Sequence, residues 1–347
     1  MKNRWVRVAL IVLLMAVLLY FSFRSVNWKD AWRYMTRANL GLFLLVILLS
    51  PLHLVTRGFR WRYLLIHEKK DVKFANLFAG NAVGFAVTFI FPGRVGEIVK
   101  PLWVARKEKI RPGFALGTVI VERIFDMFTM CFLLAVFLLA RPLYETTFKV
   151  QADAYTKLTN WGIIGAVVAT VLLAVCLLFY FFREKAIRVT MFFLKPFPAK
   201  WSEKIRTLLH EFIDGLKFFH SLGNLAMYIM LSIVVWLGIT FFYWVFFRAY
   251  GVNIPYFLLI PYIFLTMVGA SIPTPGMVAG FEMFSILGLS LLYPGIFPKG
   301  DTSLAAGLTI VVHAVQLIVT CLIGYAIVWK QGLSLFQLKK LEEPVEP

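Results

Sequence analysis

The chain has 347 residues, of which 60% are hydrophobic and only 16% charged, against about 25% charged in a soluble domain, so a water-soluble fold could not bury its apolar surface. Long unbroken apolar runs recur and alternating strands of about ten residues are absent, which excludes a β-barrel and predicts helices, whose backbone polar groups are satisfied within each segment. The formal charge of +18 resides in no separate basic domain, so it points away from nucleic acid and reports orientation in a membrane.

In chain order, a span needs roughly 20 apolar residues, and the first such run is 5–23. Lys2, Arg4 and Arg7 ahead of it imitate a secretory leader, but Phe21-Ser22-Phe23-Arg24 offers no small-x-small cleavage site, so an uncleaved span is expected. The second run, 40–56, ends in Arg57-Gly58-Phe59-Arg60-Trp61-Arg62. Arg and Trp at that height are ordinary interface anchors, or else Arg57 and Arg60 hold phosphate in guanidinium forks.

The stretch 74–91 differs in kind, because Pro92-Gly93 interrupts it. Pro-Gly readily opens a helix, so a returning half-helix is predicted there, its free N–H groups and positive dipole end facing the membrane interior. Such an end at Gly93 suits an anion, and Arg94 adds a full charge; the alternative is a kink that only packs helices. Glu97 follows by about one turn, placed either to offset the dipole or to contact substrate or a coupled ion.

The third full run, 112–140, carries Glu122, Arg123 and Asp126 near its middle. They share one helix face and must meet protein or water, either as a structural Arg–carboxylate pair or as a functional site. A fourth run lies at 161–182. Between 183 and 224, Trp201, Ile205, Leu208, Leu209, Phe212, Leu216 and Phe219 recur at helical spacing among Lys204, Arg206, Glu211 and Lys217. This predicts a basic amphipathic helix, lying on the cytoplasmic leaflet or packed over span ends. A fifth run, 225–247, precedes a second broken stretch, 255–297, interrupted at Pro273, Pro275 and Gly276 and followed by Gly280 and Glu282; the sixth run is 303–329. Cys131, Cys176 and Cys321 sit singly within spans and read as packing or lipid-facing residues. His53 and His313 are weaker candidates for a relay.

The predicted architecture is an all-α polytopic membrane protein with six full spans and two re-entrant broken-helix hairpins. Placing both termini in the cytoplasm puts most Lys and Arg inside; if 74–91 spanned, the basic segment 92–111 would move outside. Span, span, hairpin, span then repeats with opposite starting sides, giving membrane repeats at 1–140 and 161–329 and a polar cytoplasmic tail at 330–347. Pro92-Gly93-Arg94-Val95-Gly96-Glu97 echoes Pro275-Gly276-Met277-Val278-Ala279-Gly280-Phe281-Glu282, and Thr118–Glu122 echoes Thr309–His313. Inverted repeats with broken helices are the signature of secondary transporters, whose sites form near the midplane. No phosphate loop, H-E-x-x-H, C-x-x-C or G-x-S-x-G occurs, so nucleotide hydrolysis is not expected, nor a cofactor or metal.

Arg57-x-x-Arg60-Trp61-x-x-Leu64-Leu65, Pro92-Gly93-Arg94-x-Gly96-Glu97, Glu122-Arg123-x-x-Asp126 and the Pro-x-Pro-Gly segment with Gly280 and Glu282 together resemble the flippase-like, lysylphosphatidylglycerol synthase transmembrane family, which includes the membrane half of the multiple peptide resistance factor. The resemblance covers residues 5–330. It implies a prokaryotic inner-membrane protein that moves, or helps to move, an anionic phospholipid or polyprenyl-phosphate-linked molecule between leaflets. The family's bifunctional members carry a soluble aminoacyl-transfer domain after the membrane part; only a short tail follows here, so aminoacylation of lipid is not expected. His313 stands where the family usually has Arg, a departure in the second half's charge.

The expected substrate-binding set is Arg57, Arg60, Gly93, Arg94, Glu97, Glu122, Arg123, Asp126, Gly276, Gly280 and Glu282. Two other readings stay open: a membrane-embedded transferase with a carboxylate as base and arginines clamping a lipid phosphate, and a non-catalytic partner of a lipid-modifying enzyme.

Overall fold

The computed structural model describes residues 2–144, 152–194, 199–216 and 222–331. Among these residues the secondary structure is helical throughout, with no strand. The tail beyond Gln331, the side chains of Trp201 and Lys204, and the positions of Lys217 and Phe219 lie outside the described residues.

Helix α1 (Lys2–Phe23) leads to α2 (Trp28–Met35), which Asn27 caps by accepting from the Lys29 and Asp30 N–H groups. The run at 40–56 becomes α3 (Leu40–Leu49) and α4 (Leu52–Leu65), broken at Ser50-Pro51 because proline lacks the N–H that would continue the ladder. Next come α5 (Phe74–Ile90), α6 (Gly96–Glu108), α7 (Pro112–Leu139) with Pro112 opening its first turn, and the short α8 (Arg141–Tyr144). The second part contains α9 (Ala152–Phe181), α10 (Arg183–Phe193), α11 (Ala199–Gly215), α12 (Leu222–Ala249), α13 (Leu259–Ala270), α14 (Gly280–Leu292) and α15 (Ser303–Lys330).

Among the described residues, five segments are long and apolar enough to cross a membrane: Leu40–Leu65, Asp153–Phe181, Leu222–Ala249, Pro275–Leu292 and Ser303–Lys330. Leu48, Leu139, Phe181, Leu322 and Trp329 are mostly exposed on the outside of the bundle, a surface that suits lipid rather than water.

Two hairpins organise the interior. In the first, α5 and α6 pack closely because Gly84 backs onto Gly96: a Cβ on Gly96 would lie 1.8 Å from the Gly84 carbonyl oxygen. In the second, a Cβ on Gly280 would lie 2.5 Å from the Gly269 carbonyl oxygen, joining α13 to α14 in the same way. The turns also match, each placing two successive residues in the left-handed region, Gly93 (φ 80°) and Arg94 (φ 55°), then Gly276 (φ 64°) and Met277 (φ 59°). These residues cannot continue a right-handed helix. The returning helices therefore open at Gly96 and Gly280, not at the Pro-Gly pairs as expected from sequence. The two turns touch, with Gly276 against the Phe89 carbonyl.

The amphipathic segment folds as α10 and α11, and α11 packs across the start of α7. Glu211 Oε2 accepts the Gly113 N–H at 2.7 Å, and Phe212 lies against Gly117. Arg111 binds Asp214 at 2.8 Å and Glu68 at 2.7 Å. Of the two sequence readings, packing over a span end is the contact seen.

Candidate functional site

Helical spacing turns Arg57 and Arg60, three residues apart on α4, toward Glu122 and Asp126, four apart on α7. Arg57 Nη1 lies 3.2 Å from Glu122 Oε1 and 3.1 Å from Asp126 Oδ2; Arg60 Nη1 lies 2.6 Å from Asp126 Oδ1, and its Nη2 3.0 Å from Glu122 Oε1. Both arginines are buried, Arg60 completely. They are therefore not headgroup anchors: a charge left alone in the membrane costs about 2.5–3.5 kcal/mol or more, so α4 and α7 pair theirs. Phe59 and Arg62, on the other face of α4, are exposed. Trp236 of α12 donates its Nε1–H to Asp126 Oδ1 at 3.1 Å, and Ser232 accepts from Arg60 at 3.3 Å.

A third cation joins this cluster. Lys100 of α6 places Nζ 2.6 Å from Glu122 Oε2 and 4.4 Å from the centre of the Trp61 ring. In the sequence it counts only as part of the basic segment 92–111. The signal for its burial was present: Lys100 is a lone cation between Ile98-Val99 and Leu102-Trp103-Val104, three residues after Glu97. Arg123 reaches the same carboxylates, at 3.3 Å from Glu122 and 3.4 Å from Asp126, and approaches Glu97 at 4.0 Å.

At the first turn, Arg94 Nη1 lies 3.0 Å from Glu97 Oε1, and its Nη2 donates to the Ala270 carbonyl at the end of α13. Arg94 thereby ties one hairpin to the other. At the second turn, Glu282 lies in the first turn of α14. Its Oε2 accepts the Ala279 N–H at 2.6 Å, and its Oε1 lies 2.5 Å from Nδ1 of His313 on α15. This carboxylate occupies the helix start that the sequence left open to an anion.

A cavity of about 340 Å³ lies between these groups. Arg57, Arg94, Glu97, Lys100, Arg123 and Asp126 line it, together with Trp236, Tyr243, His313 and Gln316. Arg60, Glu122 and Glu282 stand behind the lining, while Gly93 is exposed and Gly276 buried in its turn. His53 also lines the cavity, with Nδ1 2.7 Å from the Ser50 carbonyl. The cluster sets five basic groups, Arg57, Arg60, Arg94, Lys100 and Arg123, against three carboxylates, Glu97, Glu122 and Asp126. That surplus of positive charge in a low-dielectric space suits an anion. Among the described residues no group of three or more His, Cys, Asp or Glu is placed to hold a metal.

Comparison with curated proteins and with solved structures finds no match. A family model described as the lysylphosphatidylglycerol synthase TM region matches residues 4–324, nearly the whole helical bundle and every residue of the cavity wall. The chain therefore belongs to the lysylphosphatidylglycerol synthase TM region family.

Proposed function

We propose that this membrane protein is a lipid translocase: the headgroup of an anionic phospholipid, or of a polyprenyl-phosphate-linked molecule, enters the cavity while its chains stay in the bilayer. Membership of the family supports action on membrane lipids. The observation that carries the proposal is the cation surplus on a cavity to whose lining both hairpins contribute. Phosphate is matched by guanidinium forks, and Arg57, Arg94 and Arg123 are the arginines on the wall.

In this reading the hairpins are re-entrant and inverted. Helices α6 and α14 have 13 residues each, about 20 Å long, against a hydrocarbon core of about 30 Å. Pro275–Leu292 reaches span length only by counting its non-helical turn. The matched turns touch, as expected of hairpins that enter from opposite faces and meet near the midplane. Both termini are assigned to the cytoplasm, and α11 to its membrane surface, by the excess of positive charge there.

The test is purified protein in phosphatidylcholine vesicles with headgroup-labelled phosphatidylglycerol, scored by an impermeant quencher. Transbilayer movement is expected, reduced by Arg94→Ala and by Glu97→Gln. Movement unchanged by both substitutions would remove this site assignment, and a product of altered headgroup mass would indicate a transferase instead.

A further inference from the structure

The charge chemistry of the second hairpin differs from that of the first. Beside its turn, Glu282 and His313 are both buried, and His313 is the one side chain ion-paired to Glu282 among the described residues. Their 2.5 Å Nδ1–Oε1 contact is a hydrogen bond holding one proton between the atoms. With that proton alone the pair carries one negative charge, eased by the Ala279 N–H and the start of α14. A second proton, on His313 Nε2, makes the pair neutral. Histidine is the side chain whose ordinary titration falls in the physiological range.

His313 is on the cavity wall while Glu282 stands behind it, so a proton reaches the pair through the space that the cationic groups line. The rings of Phe281 and Phe89 flank the imidazole, with centroids 4.5 and 6.3 Å away. The titratable neighbours are committed elsewhere. Helix α5 carries none. Tyr262 of α13 is bound to Ser285, and Tyr243 of α12 to Gln316, at 2.8 and 3.3 Å. Arg94 is held by Glu97 and the Ala270 carbonyl. Tyr20 of α1 is exposed, and α2, with Lys29, Asp30 and Arg33, meets α15 at Gly307, well toward its start. His53 on α4 hydrogen-bonds the Ser50 carbonyl.

We infer that His313 and Glu282 form a proton-binding site that couples movement of the anion to movement of one proton. The inference rests on the translocase reading. An anion at the Arg94–Arg123 wall and a proton on His313 share one cavity, so each favours the other, as linkage requires. The proton passes from water on one side to His313 Nε2 and returns to water on the other when the anion leaves. Only an N–H bond forms and breaks. One negative headgroup and one proton move together without net charge.

The experiment uses the full chain in phosphatidylcholine vesicles with headgroup-labelled phosphatidylglycerol under an imposed gradient of one pH unit. With one proton per lipid, the label shifts about tenfold toward the leaflet facing the alkaline side, and a potassium diffusion potential shifts it not at all. His313→Gln removes the proton-binding nitrogen, and His313→Arg keeps a permanent cation beside Glu282; both are expected to lose the response to the gradient. Wild-type movement that ignores the gradient overturns the coupling and leaves the translocase reading standing. Both variants retaining the tenfold shift also overturns the coupling site. Absence of lipid movement by the wild type removes both readings.

Discussion

Lys100 and Glu122 meet Nζ to Oε2 at 2.6 Å, while the other oxygen of the same carboxylate faces Arg57, Arg60 and Arg123. One buried carboxylate thus offsets cations from three helices, α4, α6 and α7. Glu122→Gln leaves those cations facing Asp126 and the more distant Glu97. Breaking a buried pair from one side costs about 3–5 kcal/mol, so a large fall in thermal stability in detergent is expected. Lys100→Met is expected to cost less, because three guanidiniums still neutralise Glu122. Equal losses would contradict this division of roles.

The glycines of the first hairpin separate close packing from backbone strain. Gly96→Ala drives a methyl group into the Gly84 carbonyl and is expected to abolish a monodisperse preparation. Gly93→Ala meets no atom within 4 Å but keeps φ at 80°, a strain of about 1–2 kcal/mol. It should purify normally and unfold earlier. Size-exclusion chromatography followed by thermal unfolding distinguishes the two.

Glu97 competes with a bound anion for Arg94 and Arg123, at 3.0 and 4.0 Å. These side chains are about one-quarter to one-third exposed, so solvent screens the pair and its worth is about 1 kcal/mol. Glu97→Gln should therefore bind phosphatidylglycerol several-fold more tightly and release it more slowly, lowering transport. Arg123→Gln should weaken binding. Titrations in detergent, read by tryptophan fluorescence, give the sign.

Outside the spans, hydrogen bonds from Arg111 hold the Glu68 carboxyl below its ordinary value, against a smaller opposing effect of burial. A lowered folded value means stability that is present above pH 4.5, the ordinary value, and lost as pH falls below it. Through Arg111 and Asp214 this link fastens α11 to the start of α7. Hydrogen exchange in α11 should rise as pH drops below about 4.5, after correction for intrinsic rates. Arg111→Gln should raise it already at neutral pH, by about 0.2–1 kcal/mol for so exposed a pair.

The Pro-Gly interruptions, Arg94, and the Glu122-Arg123-Asp126 run stand out in the sequence as candidate-site features because each violates the apolar pattern around it. Lys100 was missed because a count of charge over the basic segment 92–111 does not show which of its side chains turns inward. Arg57 and Arg60 read equally well as anchors, since rotation of α4 about its axis is invisible without knowing what it packs against. His313 became informative only once α15 had carried it to Glu282.

The sequence by itself determined the membrane class and the all-helical fold, because hydropathy is summed locally and the bilayer forces backbone groups to pair within each helix. It also marked the two interruptions at Pro92-Gly93 and Pro275-Gly276, though not the residues at which the returning helices open. Tertiary structure alone decided which buried charges pair, which glycines let helices touch, and that both hairpin turns meet beside one cavity. Those outcomes depend on the relative rotation and depth of α4, α6, α7, α14 and α15, which no single segment encodes.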